Sequence, residues 1–157
     1  MRLTDILLED HIQIPLKAEN RDDSIKKLLQ LLDKNKMLSD FDQAYQAILD
    51  REKLMTTGVG NNVAIPHCKH NSCPNFAVAL GVQNQGVDFS SVDRKKAKII
   101  FLLVGPENNP GMHIKLLSRI SRLMSNDELR QHLLNCKNPA EILRVINEEE
   151  DYYFDLD

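Results

Sequence analysis

One histidine is placed where nucleophilic chemistry would need it. The segment Gly58-Val59-Gly60-Asn61-Asn62-Val63-Ala64-Ile65-Pro66-His67 puts an imidazole directly behind a short apolar run and a proline. A rigid backbone there holds the ring at a sheet edge with one nitrogen exposed. Imidazole titrates near neutral pH, so a neutral, nucleophilic nitrogen is available. The turn formers ahead of it, with Gly58, Gly60 and Asn61, can bring backbone N–H groups close to an anion. They are not a P-loop, because no Lys-Ser or Lys-Thr follows the glycines. Arg51, in Arg51-Glu52-Lys53-Leu54, offers a planar fork of donors to an oxyanion from the end of a helix. His113 follows Gly111-Met112 at the start of another helix, where helix N–H groups favour anions and keep an imidazole neutral. Two histidines and an arginine, each at the end of an element, suit a phosphoryl site. Each also has a plainer reading. His67 can be a structural histidine at a strand end, Arg51 a charge that matches the helix dipole, and His113 an exposed first-turn residue.

A second constellation competes. Cys68, His70 and Cys73, with His67 adjacent, spell Cys-x-His-x-x-Cys, soft ligands close enough to hold zinc. No paired Cys-x-x-Cys knuckle accompanies them, and Cys136 is distant, so the expectation is no metal. Three unevenly spaced cysteines are not a disulfide framework and fit a reducing cytoplasm. His11 and His132 read as surface or core histidines.

The elements that must position these residues can be traced along the chain. Thr4 caps a short first helix through Glu9, and Ile12 to Leu16 alternates like an edge strand, since Pro15 argues against a central one. Ile25, Leu28, Leu29 and Leu32 recur at helical spacing behind a cap at Asn20 or Asp22. A second helix runs from Asp40 to about Arg51, burying Phe41, Ala44, Tyr45, Ile48 and Leu49. The run 56–62 is made of turn formers. Val63-Ala64-Ile65 is a short strand stopped by Pro66. Phe76 to Val82 and Ile99 to Val104 are continuous apolar strands, as expected where both faces are covered. After a loop from Gly105 to Gly111 come helices over Met112 to Met124, Asp127 to Asn135 and Pro139 to Glu149. Strands surrounded by helices imply a layered α/β sandwich. The organisation is one domain over 1–147 with an acidic-aromatic tail over 148–157, read as a solvated end, with docking on a partner or on the chain's own core as the alternative.

Composition narrows the function. The apolar share of 42% and charged share of 27% are ordinary for a globular chain. A net charge of −3 gives no basic field for nucleic acid, and Arg94-Lys95-Lys96 reads as a solvated turn. The longest apolar run, Ile99 to Val104, is far below the ~20 residues that span a bilayer. No signal peptide is visible. The expected location is the cytoplasm, with no membrane insertion.

Taken together, these segments resemble a family. Gly58 to His67 looks like the active-site signature of the fructose/mannitol-class enzyme IIA domains of the phosphoenolpyruvate-dependent phosphotransferase system. Arg51-Glu52-Lys53-Leu54, Gly86-Val87-Asp88-Phe89 and the segment His113 to Ile120 match further family segments in the same order, so the resemblance runs from Ile6 to about Ile146. Asn62 stands where the family usually has Gly, and Asn tolerates left-handed geometry. Asp93-Arg94 replaces the usual Asp-Gly of a later turn. The resemblance implies a three-layer sandwich with a mixed β-sheet flanked by helices. It implies that His67 accepts a phosphoryl group from the histidine phosphocarrier protein, with Arg51 and His113 beside it and no cofactor. The onward acceptor is either a regulated target, as in the nitrogen-regulatory type, or a sugar-specific IIB domain. No fused membrane or IIB segment is visible, which favours the regulatory type. A pure interaction protein on the same fold is a further alternative, against which the intact His67 counts.

Overall fold

The computed structural model describes residues 1–154. Among them, six strands form one sheet: β1 (Ile12–Gln13), β2 (Gly58–Gly60), β3 (Val63–Ala64), β4 (His67–Lys69), β5 (Ala77–Val87) and β6 (Ala97–Gly105). Five helices cover its faces: α1 (Arg21–Lys34), α2 (Phe41–Leu54), α3 (Pro110–Met124), α4 (Asp127–Asn135) and α5 (Pro139–Phe154). The strand order is β1-β5-β6-β3-β2, with β4 also paired to β6. β5 and β6 are antiparallel, whereas β1 runs parallel to β5, and β3 and β4 run parallel to β6. The sheet is therefore mixed, and the fold is the expected three-layer sandwich.

Alternation along β6 separates the two cores. Ile99, Phe101 and Leu103 pack with Leu116 and Ile120 of α3 and Ile142 and Ile146 of α5. Ile100, Leu102 and Val104 pack with Ile25, Leu28 and Leu32 of α1 and Ile48 of α2. The helices begin where polar caps allow. Asn20, Asp40, Asn109 and Asn126 each accept a backbone N–H from the first turn of the helix that follows.

The segments that differ from the sequence reading include the chain's beginning, the run 56–62 and the tail. The expected helix over Thr4 to Glu9 is two 3₁₀ turns, Leu3–Asp5 and Glu9–His11, because a helix so short is marginal and the chain must extend to enter β1. The turn formers of 56–62 are largely a hairpin. β2 pairs with β3 around Asn61 and Asn62, whose φ values of 56° and 67° give the twist that a two-residue hairpin turn needs. Asn62 thus supplies the left-handed geometry of a glycine, and its side-chain amide donates to the Lys96 carbonyl at 2.8 Å. Arg94 likewise adopts φ 63°.

The tail is the third difference. Residues 148–154 continue α5 and do not break away as a solvated end. The cause is Glu150, which is fully buried and accepts the backbone N–H of Leu3 at 2.7 Å and of Thr4 at 3.0 Å. The guanidinium groups of Arg119 and Arg2 lie 3.7 and 3.9 Å from its carboxylate. The remainder of the tail, 155–157, lies outside the described residues. Among the described residues, no helix is long and apolar enough to cross a membrane.

Candidate active site

The site begins with a broken strand. β3 and β4 lie end to end along β6, with Val63 opposite Ile99 and His67 opposite Leu103. Pro66 interrupts them because it has no N–H to give the ladder. Its carbonyl still accepts from Leu103 N–H at 3.0 Å. The Ile65 carbonyl turns instead toward His67, 2.7 Å from Nδ1. A carbonyl only accepts, so Nδ1 carries the ring proton and Nε2 keeps its lone pair. His67 is half-buried. Burial is the main cause that lowers its pKa; the Ile65 carbonyl opposes this, and the charge of Arg51 assists it. The imidazole is neutral at pH 7.

Around it is a cavity of about 360 Å³ at the sheet edge, lined by Arg51 of α2, His67 and Lys69 of β4, and His113 and Leu117 of α3, among others. The three residues expected to act together do meet here. His113 is not an exposed first-turn residue: it is 3% exposed on the inner face of α3. Its ring centroid lies 5.6 Å from that of His67, with the planes at 53°, and 6.3 Å from that of Phe76. Burial first, then the nearby His67 and Lys69, bring its pKa down to about 4. It is neutral as expected, but through desolvation more than through the helix N-terminus. Arg51 is in the last turn of α2, where its Nη1 donates to the Met55 carbonyl at 3.1 Å. Next to it, Glu52 is buried and accepts from Thr57 N–H at 2.6 Å and Thr57 Oγ1–H at 2.5 Å. This ties the end of α2 to the start of the hairpin.

Gly58, Gly60 and Asn61 are not among the residues lining the cavity. The backbone N–H of Asn61 donates to Asp93 Oδ2 at 2.9 Å, so it is already occupied. Glycine is required there for packing. A Cβ on Gly58 would lie 2.1 Å from Ser91 Oγ, and Gly60 has φ +92° against the Asp93 carboxylate. The expected anion cradle is thus a hairpin docked on the turn around Asp93.

Two residues escaped the sequence reading. Lys69 is two positions beyond His67 on one strand and so shares its face. That period-two signal was present, but His67-Cys68-Lys69 was not read as a strand. Glu52 gave no signal, since its burial depends on the fold. The cysteine constellation does not assemble as a metal site. Cys68 and Cys73 are buried in the α1–α2 core, His70 bonds to Ser72 Oγ at 2.7 Å, and among the described residues no three His, Cys, Asp or Glu side chains converge on one point.

Residues 5–149 match the family described as "Phosphoenolpyruvate-dependent sugar phosphotransferase system, EIIA 2". The chain belongs to that enzyme IIA family. Among enzyme IIA relatives, a "PTS system fructose-specific EIIABC component" of Bacillus subtilis is 33% identical over 96% of this chain, which spans 24% of that protein. A "PTS system fructose-specific EIIA component" of Haloferax volcanii is 32% identical, covering 82% of this chain and 83% of that one. The crystal structure of the nitrogen regulatory protein IIA-Ntr from Neisseria meningitidis superposes with a TM-score of 0.84 at 27% identity, covering 91% of this chain and 97% of that one.

Proposed function

We propose that this enzyme IIA domain carries a phosphoryl group on Nε2 of His67. The observation that carries this reading is the hydrogen bond between His67 Nδ1 and the Ile65 carbonyl, which leaves Nε2 as the nucleophile beside Arg51 and His113. The donor is the histidine phosphocarrier protein. Nε2 attacks phosphorus in line as the donor's phosphorus–nitrogen bond breaks, and the donor imidazole leaves with that electron pair. As the new bond forms, His67 becomes more positive at Nδ1–H, and the Ile65 carbonyl stabilises that proton. Arg51 and Lys69 balance charge on the equatorial oxygens. Once the group is in place, its negative charge favours protonation of His113, which can then donate to an oxygen.

The carried group serves as a signal read by a regulated target, as in the nitrogen-regulatory type; the support is the likeness to IIA-Ntr across nearly all of both chains. Charge appears beside Ile114, which is 63% exposed. A difference of about 1.4 kcal/mol between the two states changes a partner's affinity about tenfold. A second reading is donation to a sugar-specific IIB domain, favoured by the two fructose-specific relatives. The test is to label the protein through the upstream carriers from phosphoenolpyruvate. Label should map to the Pro66-His67 peptide as an acid-labile, alkali-stable phosphate, and His67→Ala should take none. Undiminished labelling of that variant would reject the carrier role. Rapid loss of label to a IIB domain would decide for transport. Retained label, with a non-transport protein bound by only one state, would decide for regulation.

A further inference from the structure

The end of the sheet away from His67 holds a second cavity. Val78 of β5 faces Leu103, which faces His67 on its other side. Gln83 lies five positions further along β5. At ~3.4 Å per residue that is about 17 Å from Val78. There a cavity of about 520 Å³ opens between β5, helix α1 and the chain that leaves β1. Leu16, Lys27 and Gln83 line it together with Pro15, Lys17 and Glu19, which are exposed. Among the described residues, none lines both this cavity and that of His67.

Its walls are tied together. The Leu16 N–H donates to the Val82 carbonyl at 2.8 Å, and Lys27 Nζ donates to the Lys17 carbonyl. A Cβ on Gly81 would lie 2.6 Å from Leu16 Cδ2 and 3.1 Å from Leu28 Cδ2, so that face of β5 looks toward α1. Gln83 is two positions on and shares the face. It is only 8% exposed, and its buried Nε2 has no hydrogen-bond partner. Gln13, which pairs with Gly81 from β1, has a buried Oε1 that is likewise unpartnered. Burying an unpaired amide costs stability, and an apolar side chain of the same length would avoid that cost. A ligand that supplies an acceptor recovers it.

We propose that this cavity binds a small monocarboxylate with a short carbon chain. A turn of the Gln83 amide about its terminal torsion presents its NH₂ to the cavity, where a carboxylate oxygen accepts from it. Lys27 has three N–H donors. One goes to the Lys17 carbonyl, Asp23 Oδ2 lies 3.4 Å away, and a third remains for the ligand. Pro15 and Leu16 give the carbon chain an apolar wall. Charge sets the class. The cations that line the cavity are Lys17 and Lys27, and Asp23 offsets the second. One positive charge is thus in excess, and Glu19 repels a second negative charge. A monocarboxylate matches this balance; a dicarboxylate or phosphate dianion does not.

The probe is butyrate. Full-length protein labelled with ¹⁵N is titrated with sodium butyrate at constant ionic strength, and backbone and side-chain amide resonances are followed by NMR. Expected are saturating shifts of the Gln83 side-chain amide and of the Leu16 and Gln83 backbone. Butyramide, succinate and inorganic phosphate should each bind about tenfold more weakly or worse, since each loses or mismatches a charge-assisted contact. Gln83→Met keeps the length of the side chain without the donor. It should weaken butyrate about tenfold and melt no lower than wild type, which a structural role for the amide would not allow. Should Gln83→Met not fold, the wild-type titration still decides through the Gln83 amide itself. Shifts that do not saturate, that leave this amide unmoved, or that persist unchanged in Gln83→Met would overturn the proposal. Equal binding of butyramide, succinate or phosphate would overturn the monocarboxylate class. Binding is read without phosphorylation, so its failure leaves the carrier reading untouched.

Discussion

His113 lies against His67 with ring centroids 5.6 Å apart, and neither of its own nitrogens has a hydrogen-bond partner among the described residues. Leaving a buried polar group unpaired costs about 1–3 kcal/mol, so this ring is held ready at some expense to the fold. A phosphoryl group on His67 would give it an acceptor and a negative charge. The His113 pKa, about 4 in the unmodified protein, should therefore rise on phosphorylation. Imidazole resonances followed by NMR titration in both states would show it, and a titration indifferent to phosphorylation would refute the pairing.

The same residue makes stability depend on pH. Its folded pKa of about 4 lies below the ordinary 6.5, so the folded protein binds fewer protons than the unfolded chain between those values. Stability should be fullest above about pH 6.5 and fall as pH drops toward 4, by on the order of 3 kcal/mol from this group. His11 and His67 are shifted in the same direction and add to the slope. Urea unfolding at a series of pH values should show a shallower dependence for His113→Phe than for wild type.

Arg51 holds a cation at the cavity from the end of α2. Arg51→Ala should slow phosphoryl acceptance about tenfold or more, since lost contacts to a developing oxyanion cost several kcal/mol. Arg51→Lys should recover only part of the rate, because an ammonium lacks the planar fork. Single-turnover labelling would check both, and wild-type rates in the folded Arg51→Ala protein would mean that the guanidinium does not touch the group.

Glu52 is the joint beneath that arginine. Glu52→Ala would orphan the Thr57 N–H and hydroxyl in a buried place and should cost about 1–3 kcal/mol. It should also slow labelling, because the last turn of α2 would no longer be fixed to the hairpin. Thermal unfolding together with labelling tests this; a loss of stability with labelling intact would reduce Glu52 to a fold residue.

Most of the scaffold was legible from the residues. The apolar period of α1, the polar caps and the unbroken apolar runs of β5 and β6 each report a local cause, and the structure keeps them. What could not be read was non-local. The 56–62 run has turn composition, yet pairing with β3 and docking on Asp93 make it a hairpin. Residues 148–154 have the composition of a tail, yet a contact with the opposite end of the chain keeps them helical. Arg51, His67 and His113 were singled out because each lies at an element end behind a recognisable pattern, and all three line one cavity. Lys69 was not, because its strand is three residues long and begins directly after a proline.

The clasp of Glu150 on the backbone of Leu3 spans 147 positions of sequence. At a synthesis rate of about 5–20 residues per second, roughly 7 to 30 seconds separate the making of its two halves. Through that interval Leu3, fully buried in the finished molecule, lacks the helix that covers its turn. The nascent chain can assemble its central strands early, but it cannot lock its beginning until α5 has left the ribosome. Released chains truncated before Glu150 should therefore stay sensitive to protease at their first turn, and released chains that keep Glu150 should be protected there.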